Sequence, residues 1–126
     1  MKTPSFDLED RFVEWTCRMI DVVEALPNTR AGNYIANQMI RSSHSPTFNY
    51  GEVQGAESRN DFIHKLGICL KELKETRTAL KIIIRKEMIK KEKLMSVYCE
   101  TEELVAIIAK SINTAKKNRL TKTKTN

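Results

Sequence analysis

The chain has 126 residues, of which 30% are charged and 40% hydrophobic, and its formal net charge is +6. This composition is typical of a soluble single domain, and the chain is long enough to bury a core without disulfides. Only one glycine or proline, Gly67, follows Gly55. An all-β protein needs a turn about every 8–12 residues, so the scarcity of turn residues excludes that class.

The first predicted helix runs from about Leu8 to Leu26. Asp7 is its expected N-cap, and Pro27 ends the pattern. Its apolar residues recur at alternating steps of four and three, which indicates a helix packed in a bundle. These residues are Leu8, Phe12, Trp15, Met19, Val22 and Leu26.

The second predicted helix runs from about Arg30 to Gly55, with Thr29 as its cap. Pro46 lies inside this helix. Because proline lacks a backbone N–H and its ring clashes with the preceding turn, we expect a kink near residues 42–45.

The third predicted helix runs from about Ser58 to Ile89, and Ser58 and Asp61 form the expected capping box. Its apolar seam consists of Phe62, Leu66, Cys69, Leu73, Thr76, Leu80 and Ile83. Further apolar residues broaden this surface beyond what one bundle core needs, so we expect part of it to face another subunit. They are Ile63, Leu70 and Ile84, which broaden the seam, and Ile68 and Ile82, which lie off it.

The fourth predicted helix runs from about Glu92 to Lys117 and repeats the same spacing. Residues 118–126 hold too few apolar side chains to bury, so a basic, disordered tail is expected there. Four amphipathic helices joined by short connections predict an all-α, antiparallel up-down-up-down four-helix bundle. Residues 1–117 form this single domain.

Signals for a membrane, for secretion or for thiol chemistry are absent from the sequence. No apolar run approaches the roughly 18–20 residues of a membrane span, and Met1–Asp10 has no apolar stretch typical of a signal peptide. These absences predict a cytoplasmic protein with no membrane partner. Cys17, Cys69 and Cys99 form no C-x-x-C pair, so we expect three small buried hydrophobic side chains.

Candidate catalytic residues are few. His44 and His64 have no Cys or carboxylate partner at a motif spacing, and the glycines match no phosphate- or dinucleotide-binding loop. Glu102 and Glu103 are interpreted as part of a solvated face, since nothing indicates the burial that acid–base catalysis needs. The sequence therefore predicts no enzyme, no cofactor and no metal site.

The positive charge of the chain is concentrated in two regions. Residues 59–93 hold 11 basic and five acidic residues, and residues 110–126 hold six basic and no acidic ones. In an antiparallel bundle these regions lie at opposite ends. We expect them to contact nucleic acid through phosphates, because aromatic residues are not interleaved with the charges. The predicted contact residues are Lys74, Lys81, Arg85, Lys86, Lys90, Lys91, Lys93, Lys110, Lys116, Lys117, Arg119, Lys122 and Lys124. The alternative is that lysine-rich helix ends only complement the helix dipoles and keep the protein soluble.

Several spaced polar motifs extend across the second and third helices. A Q-x-x-R stretch and a Ser/Pro segment are followed by N-x-x-E, S-x-x-D-F and an E-L run that ends in Thr. The matching residues are Gln38, Arg41, Pro46, Asn49, Glu52, Ser58, Asp61, Phe62, Glu72, Leu73 and Thr76. In this pattern the chain resembles the bacterial four-helix bundle proteins first noticed in intervening sequences of large-subunit ribosomal RNA genes.

The resemblance implies an architecture and a set of partners. It implies a homopentameric bundle. The proteins that the chain resembles include a basic accessory factor of diversity-generating retroelements, which associates with a reverse transcriptase and nucleic acid. It carries over no catalytic residue. The sequence therefore predicts a non-enzymatic oligomer that binds RNA or DNA through basic surfaces. The alternative is a structural or protein-docking oligomer with no nucleic-acid role.

Overall fold

The computed structural model describes the backbone of residues 7–125 and the side chains of residues 7–118. This part of the chain folds into four α-helices and contains no β-strand. The helices are α1 (Leu8–Glu24), α2 (Arg30–Val53), α3 (Arg59–Arg85) and α4 (Lys91–Thr125). The prediction of an all-α four-helix bundle is confirmed.

Side-chain caps determine where the first three helices begin. In each, an oxygen of the predicted cap accepts a hydrogen bond of 3.0 Å from the backbone N–H three residues later. These caps are Asp7, Thr29 and Ser58. Before α3, the Asp61 carboxylate also accepts a hydrogen bond from the Glu57 N–H at 3.2 Å. The reciprocal bonds satisfy backbone donors that have no partner within the helix.

We expect Ser58→Ala to lower the free energy of unfolding by about 1 kcal/mol, because the Asp61 N–H loses its acceptor. Urea denaturation followed by circular dichroism measures this change. Ser96→Ala is the matched control, since that exposed hydroxyl only accepts a hydrogen bond from Arg18. A change as small as that of the control, below about 0.5 kcal/mol, would show that the cap does not stabilise α3.

The predicted apolar seams form the core of the bundle. Trp15 of α1 lies at its centre, where its indole Nε1–H donates to Thr101 Oγ1 of α4 at 2.8 Å. The Phe12 ring packs edge-on against Trp15 with centroids 6.4 Å apart. The largest fully buried apolar side chains are Phe12, Trp15, Met19, Met39, Leu66, Leu73, Leu80, Ile83, Leu94, Leu104 and Ile108. The predicted inward faces of α1 and α3 are therefore correct, whereas on α2 Ile35 and Met39 are buried but Tyr34 and Ile40 of the predicted stripe are exposed.

Neighbouring helices pack against one another in chain order, and α1 also packs against α4. Between α2 and α3, Thr76 donates to Ser42 Oγ at 2.9 Å, and Cys69 Sγ donates to the Pro46 carbonyl at 3.3 Å. As residue numbers rise along α2, the residues that they contact on α3 fall in number. The helices α2 and α3 are therefore antiparallel. Pro46 is buried inside α2, which continues through it. The kink there stays a prediction.

The helix α3 ends at Arg85, earlier than the predicted end at Ile89. The chain turns at Glu87, where no glycine marks the turn in the sequence. Glu87 has a φ of 54°, in the left-handed region. Its N–H donates to the Ile84 carbonyl at 3.1 Å, and the Met88 N–H donates to the Ile83 carbonyl at 3.0 Å. These two bonds form the Schellman motif that ends many helices. The basic α3–α4 connection therefore has a defined hydrogen-bonded geometry.

The helix α4 extends to Thr125, past the predicted end at Lys117. Residues 118–125 contain no glycine or proline that would interrupt the helix, and the prediction of a basic, disordered tail over residues 118–126 is not tested by the described residues. The side chains of Arg119, Lys122 and Lys124 lie outside the described residues. The domain boundary after residue 117 stays a prediction.

The prediction that all three cysteines are buried is wrong for two of them. Cys69 is buried, whereas Cys17 and Cys99 are exposed free thiols. Cys17 lies two residues after Trp15, and Cys99 lies two residues after Val97. Because a step of two turns a helix by about 200°, each thiol lies opposite its buried neighbour.

Candidate nucleic-acid interface and neighbouring surfaces

The cations of the first predicted basic region lie on α3, on the α3–α4 connection and at the start of α4, and we call them the α3–α4 cluster. Its members are Lys74, Lys81, Arg85, Lys86, Lys90, Lys91 and Lys93, and all seven are exposed. Lys74, Lys81 and Arg85 follow one another at steps of seven and four, so they share the outer face of α3. The other four continue across the connection into the first turn of α4.

Lys71 belongs to the same face, although the sequence analysis did not select it. It is exposed and lies three residues before Lys74. The spacing of Lys71, Lys74, Thr78, Lys81 and Arg85 is the alternating three-four pattern that the apolar seams also follow. Applied to basic residues, that pattern could have identified Lys71 from the sequence.

The cations of the α3–α4 cluster have no carboxylate partner among the described residues. Every ion pair between described side chains uses one of four other cations. These are Arg11, Arg41, Lys65 and Arg77. Within the described part of the chain, no carboxylate lies within ion-pair distance of the cluster's cations, although Glu87 and Glu92 lie in the same segment.

The second predicted basic region is separate from the first. Lys110, Lys116 and Lys117 are exposed near the far end of α4. At 1.5 Å per residue, Lys91 and Lys117 are about 39 Å apart along the helix. The structure therefore keeps the two basic regions far apart. The sequence predicted this separation.

Three of the motif residues that carry the family resemblance, Gln38, Arg41 and Glu72, form a polar cluster between α2 and α3. Arg41 Nη1 donates to both carboxylate oxygens of Glu72, at 2.8 and 2.9 Å. Arg41 Nη2 donates to Glu75 Oε2 at 3.1 Å, and Gln38 Oε1 lies 3.4 Å away. Glu72 is only 6% exposed. These hydrogen bonds join α2 to α3, so the role of the cluster is to stabilise the fold.

Burial is the main cause of the raised pKa of Glu72. Removal from water raises the pKa of Glu72, and the neighbouring Glu75 adds to this, while Arg41 opposes it. The pKa of Glu75 is lowered, first by its hydrogen bond with Glu72 and then by Arg41. The single guanidinium therefore stabilises two adjacent carboxylates.

We expect Arg41→Gln to destabilise the protein increasingly as pH rises. Without the cation, the pKa of buried Glu72 rises further above its unfolded value of about 4.5, so ionisation above that pH opposes folding. The lowered pKa of Glu75, which stabilises the fold above the same value, is also partly lost. Urea midpoints at about pH 4 and about pH 7.5 should differ little from wild type at the lower pH and clearly at the higher one.

Adding Glu72→Gln to Arg41→Gln is the control for that experiment. Because the double variant has no buried charge without a partner, it should recover part of the stability at about pH 7.5. If Arg41→Gln lowers the urea midpoint equally at both pH values, loss of the ion pair is not the cause of the lower stability.

Beside this polar cluster lies an open groove of about 470 Å³ between α2 and α3. Its lining is mostly apolar, with two lysines on the α3 side. The lining residues are Tyr34, Ile35, Gln38, Ser42, Lys71, Lys74, Glu75, Thr78, Ala79 and Ile82. Tyr34 is 67% exposed and Ile82 45%.

Large exposed apolar side chains are concentrated on α1 and α2, not on α3 as the sequence predicted. The α3 residues Ile63, Leu70 and Ile84 are partly buried against the core. Only Ile82 of α3 is an exposed large apolar residue among the described ones, whereas α1 and α2 contribute Val13, Ile20, Tyr34, Ile40 and Phe48. The spacing on α3 was correct, but α2 and α4 cover both flanks of its seam.

Catalytic groups do not converge among the described residues. His44 Nδ1 lies 2.6 Å from the Ile40 carbonyl, and Glu102 and Glu103 pair with Arg77 and Arg11. No group of three His, Cys, Asp or Glu side chains in residues 7–118 is placed to hold a metal ion. No helix in the described part of the chain is long and apolar enough to cross a membrane.

Comparison with known proteins places this bundle in a family. The family model described as 23S rRNA-intervening sequence protein matches residues 9–110. No curated protein matches the chain. A crystal structure of a protein of unknown function from the S23 ribosomal protein family of Bacteroides thetaiotaomicron is 33% identical, with a TM-score of 0.76. That match covers 82% of this chain and 96% of the other. The chain belongs to the 23S rRNA-intervening sequence protein family.

Proposed function

We propose that this protein is a non-enzymatic, oligomeric helical bundle that binds nucleic acid through the α3–α4 cluster. The observation that carries this proposal is the row of exposed cations without carboxylate partners in the described part of the chain. Surface lysines that only maintain solubility need no common face. These residues share one face of α3 and continue onto the adjoining connection.

The dimensions of the row suit a nucleic-acid backbone. Lys71 and Arg85 are about 21 Å apart along α3, which corresponds to about six base pairs of B-form DNA at 3.4 Å per step. No aromatic side chain belongs to the α3–α4 cluster, so its contacts would go to phosphates and not to stacked bases. Affinity would then depend strongly on salt and weakly on sequence.

Assembly of several copies would strengthen such contacts. In a homo-oligomer, with five copies as the resemblance implies, each protomer presents the same cluster, and linked weak contacts add up to useful affinity. The family description names a ribosomal RNA, so an RNA duplex is the first probe to use. A reverse transcriptase is a further partner that the resemblance suggests.

Lysine acylation with and without an RNA duplex tests the proposal. Bound RNA should protect Lys86, Lys90 and Lys91 from the reagent, as measured by mass spectrometry of the digested protein. Lys65 is the internal reference, since its side chain is 23% exposed and already paired with Glu52 and Asp61. Equal acylation of the cluster with and without RNA would overturn the proposal and favour a protein-docking oligomer.

A further inference from the structure

We propose that a pocket between the start of α3 and the later part of α4 holds one unpaired nucleotide of a bound RNA strand. Its volume is about 430 Å³, which is within the range of small-molecule sites. The side chains that line it include Arg59, Phe62, Ile107, Lys110, Thr114 and Asn118, and we call it the Phe62 pocket. The inference rests on the proposed function and deepens it, because it adds a site for single-stranded RNA.

The Phe62 pocket is far from the α3–α4 cluster. Arg59 and Arg85 are about 39 Å apart along α3. Lys110, which the sequence analysis placed in the second basic region, belongs to the lining of the pocket. The pocket therefore gives that second region a role of its own.

One wall of the pocket is apolar and includes an aromatic ring. Phe62 packs partly against the core, so its ring is held in place while it also lines the pocket. Ile107 and Ala115 of α4 extend the apolar surface. Every nucleobase has a flat face that stacks on an aromatic side chain. An unpaired base therefore has the shape and polarity that this wall accepts.

The charged residues in the lining are all cations. Arg59 and Lys110 are exposed, and neither forms an ion pair with another described residue. Asp61, the nearest acid along α3, instead lies 3.7 Å from Lys65 and accepts a hydrogen bond from the Glu57 N–H. On α4, no acidic residue follows Glu103 in the sequence. The occupant therefore carries negative charge, as the phosphates of a nucleotide do.

The α4 side of the pocket adds hydrogen-bonding groups and a further cation. Lys110, Thr114 and Lys117 follow one another at steps of four and three, so they share one face of α4, and all three are exposed. Asn118 is exposed beside them. A hydroxyl and an amide can bond to the edge of a base or to a ribose hydroxyl, while the lysines contact the flanking phosphates.

A second cavity favours a strand over a free mononucleotide. Phe62 and Arg59 also line a cavity of about 410 Å³ towards the α2–α3 corner, together with Val53, Gln54 and Ser58. Open space therefore adjoins Phe62 on both sides, and the chain of the RNA has a path past the ring. The α3–α4 cluster has no aromatic residue, so a stacked unpaired base is particular to this end of the bundle.

The affinities for a labelled single-stranded RNA and for a blunt RNA duplex, measured by fluorescence anisotropy, test the inference. Phe62→Leu keeps an apolar side chain against the core but removes the ring. It should weaken binding of the single strand by at least about fivefold. Affinity for the duplex should not change, because its paired bases are not free to stack on Phe62. Phe62→Tyr is the matched control and should bind both RNAs as wild type does.

Removal of the two lining cations tests the phosphate contacts separately. Arg59→Gln with Lys110→Gln should make the slope of log affinity against log salt shallower by about 1.4 for the single strand, at about 0.7 per phosphate. Adenosine monophosphate should bind more weakly than the RNA, since it offers fewer phosphates. If it bound as tightly, the pocket would be a site for free nucleotides, and the inference would be overturned.

Cross-linking in the wild-type protein does not depend on how the variants fold. Under ultraviolet light, single-stranded RNA that carries 5-iodouridine should cross-link to Phe62, as located by mass spectrometry of the digested protein. Cross-links only outside the pocket, or a Phe62→Leu variant that loses both RNAs equally or neither, would overturn the inference. A wild type that binds the single strand through Phe62 but not the duplex would instead overturn the proposed role of the α3–α4 cluster.

Discussion

Reversing four charges of the α3–α4 cluster should weaken RNA binding by about 10³-fold at 0.1 M salt. The variant carries Arg85→Glu, Lys86→Glu, Lys90→Glu and Lys91→Glu, all at exposed positions. Each phosphate contact on a duplex contributes about −0.9 to the slope of log affinity against log salt. Losing four contacts should therefore make the slope shallower by about 3.6, as measured by fluorescence anisotropy of a labelled duplex.

Two comparison variants show whether charge at this surface is the cause. Exchanging lysine and arginine at the same four positions keeps every charge and should keep the slope. Deleting residues 119–126 removes only three positive charges and should have a smaller effect, because the reversal both removes four cations and introduces four anions. A charge-reversed variant that binds as tightly as wild type would contradict the proposal.

Truncating the central core residue should destabilise the bundle more than any other single change considered. Trp15 is fully buried, and its indole donates to Thr101 at 2.8 Å. We expect Trp15→Ala to lower the free energy of unfolding by about 3–5 kcal/mol, because a cavity remains and a buried hydrogen bond is lost. Urea denaturation followed by circular dichroism measures the change.

An exposed aromatic residue provides the matched control. Phe48 is 67% exposed, so Phe48→Ala should change the free energy of unfolding by less than about 0.5 kcal/mol. If Trp15→Ala costs less than about 1 kcal/mol, the inward face of α1 has been assigned incorrectly.

The starts of the helices and the inward faces could be predicted because both depend on local chemistry. Thr29 and Ser58 are cap residues that bond within one turn of their own helix, and a regular apolar spacing identifies the buried side. The end of α3 could not be predicted in the same way. Glu87 adopts a positive φ of 54°, and glutamate is not a residue that signals such a turn.

The candidate site was only partly predictable, because its key relations join distant parts of the chain. The exposed cations were found from their density along the sequence. The pairing of Arg41 with Glu72 depends on how α2 and α3 are rotated about their axes, which no local pattern specifies. The rotation of each helix about its axis likewise exposes Tyr34 of α2 and Ile20 of α1, which places the apolar surplus on these two helices.

The most direct test of the proposed function is the affinity of the wild-type protein for a labelled RNA duplex, measured at several salt concentrations. The account predicts binding at about 50 mM salt and a straight line of log affinity against log salt. The slope of this line should be about −3.6 or steeper, since about −3.6 is the value for four phosphate contacts. No binding at about 50 mM salt, or an affinity that does not change with salt, would contradict the claim that this family member binds nucleic acid through its exposed cations.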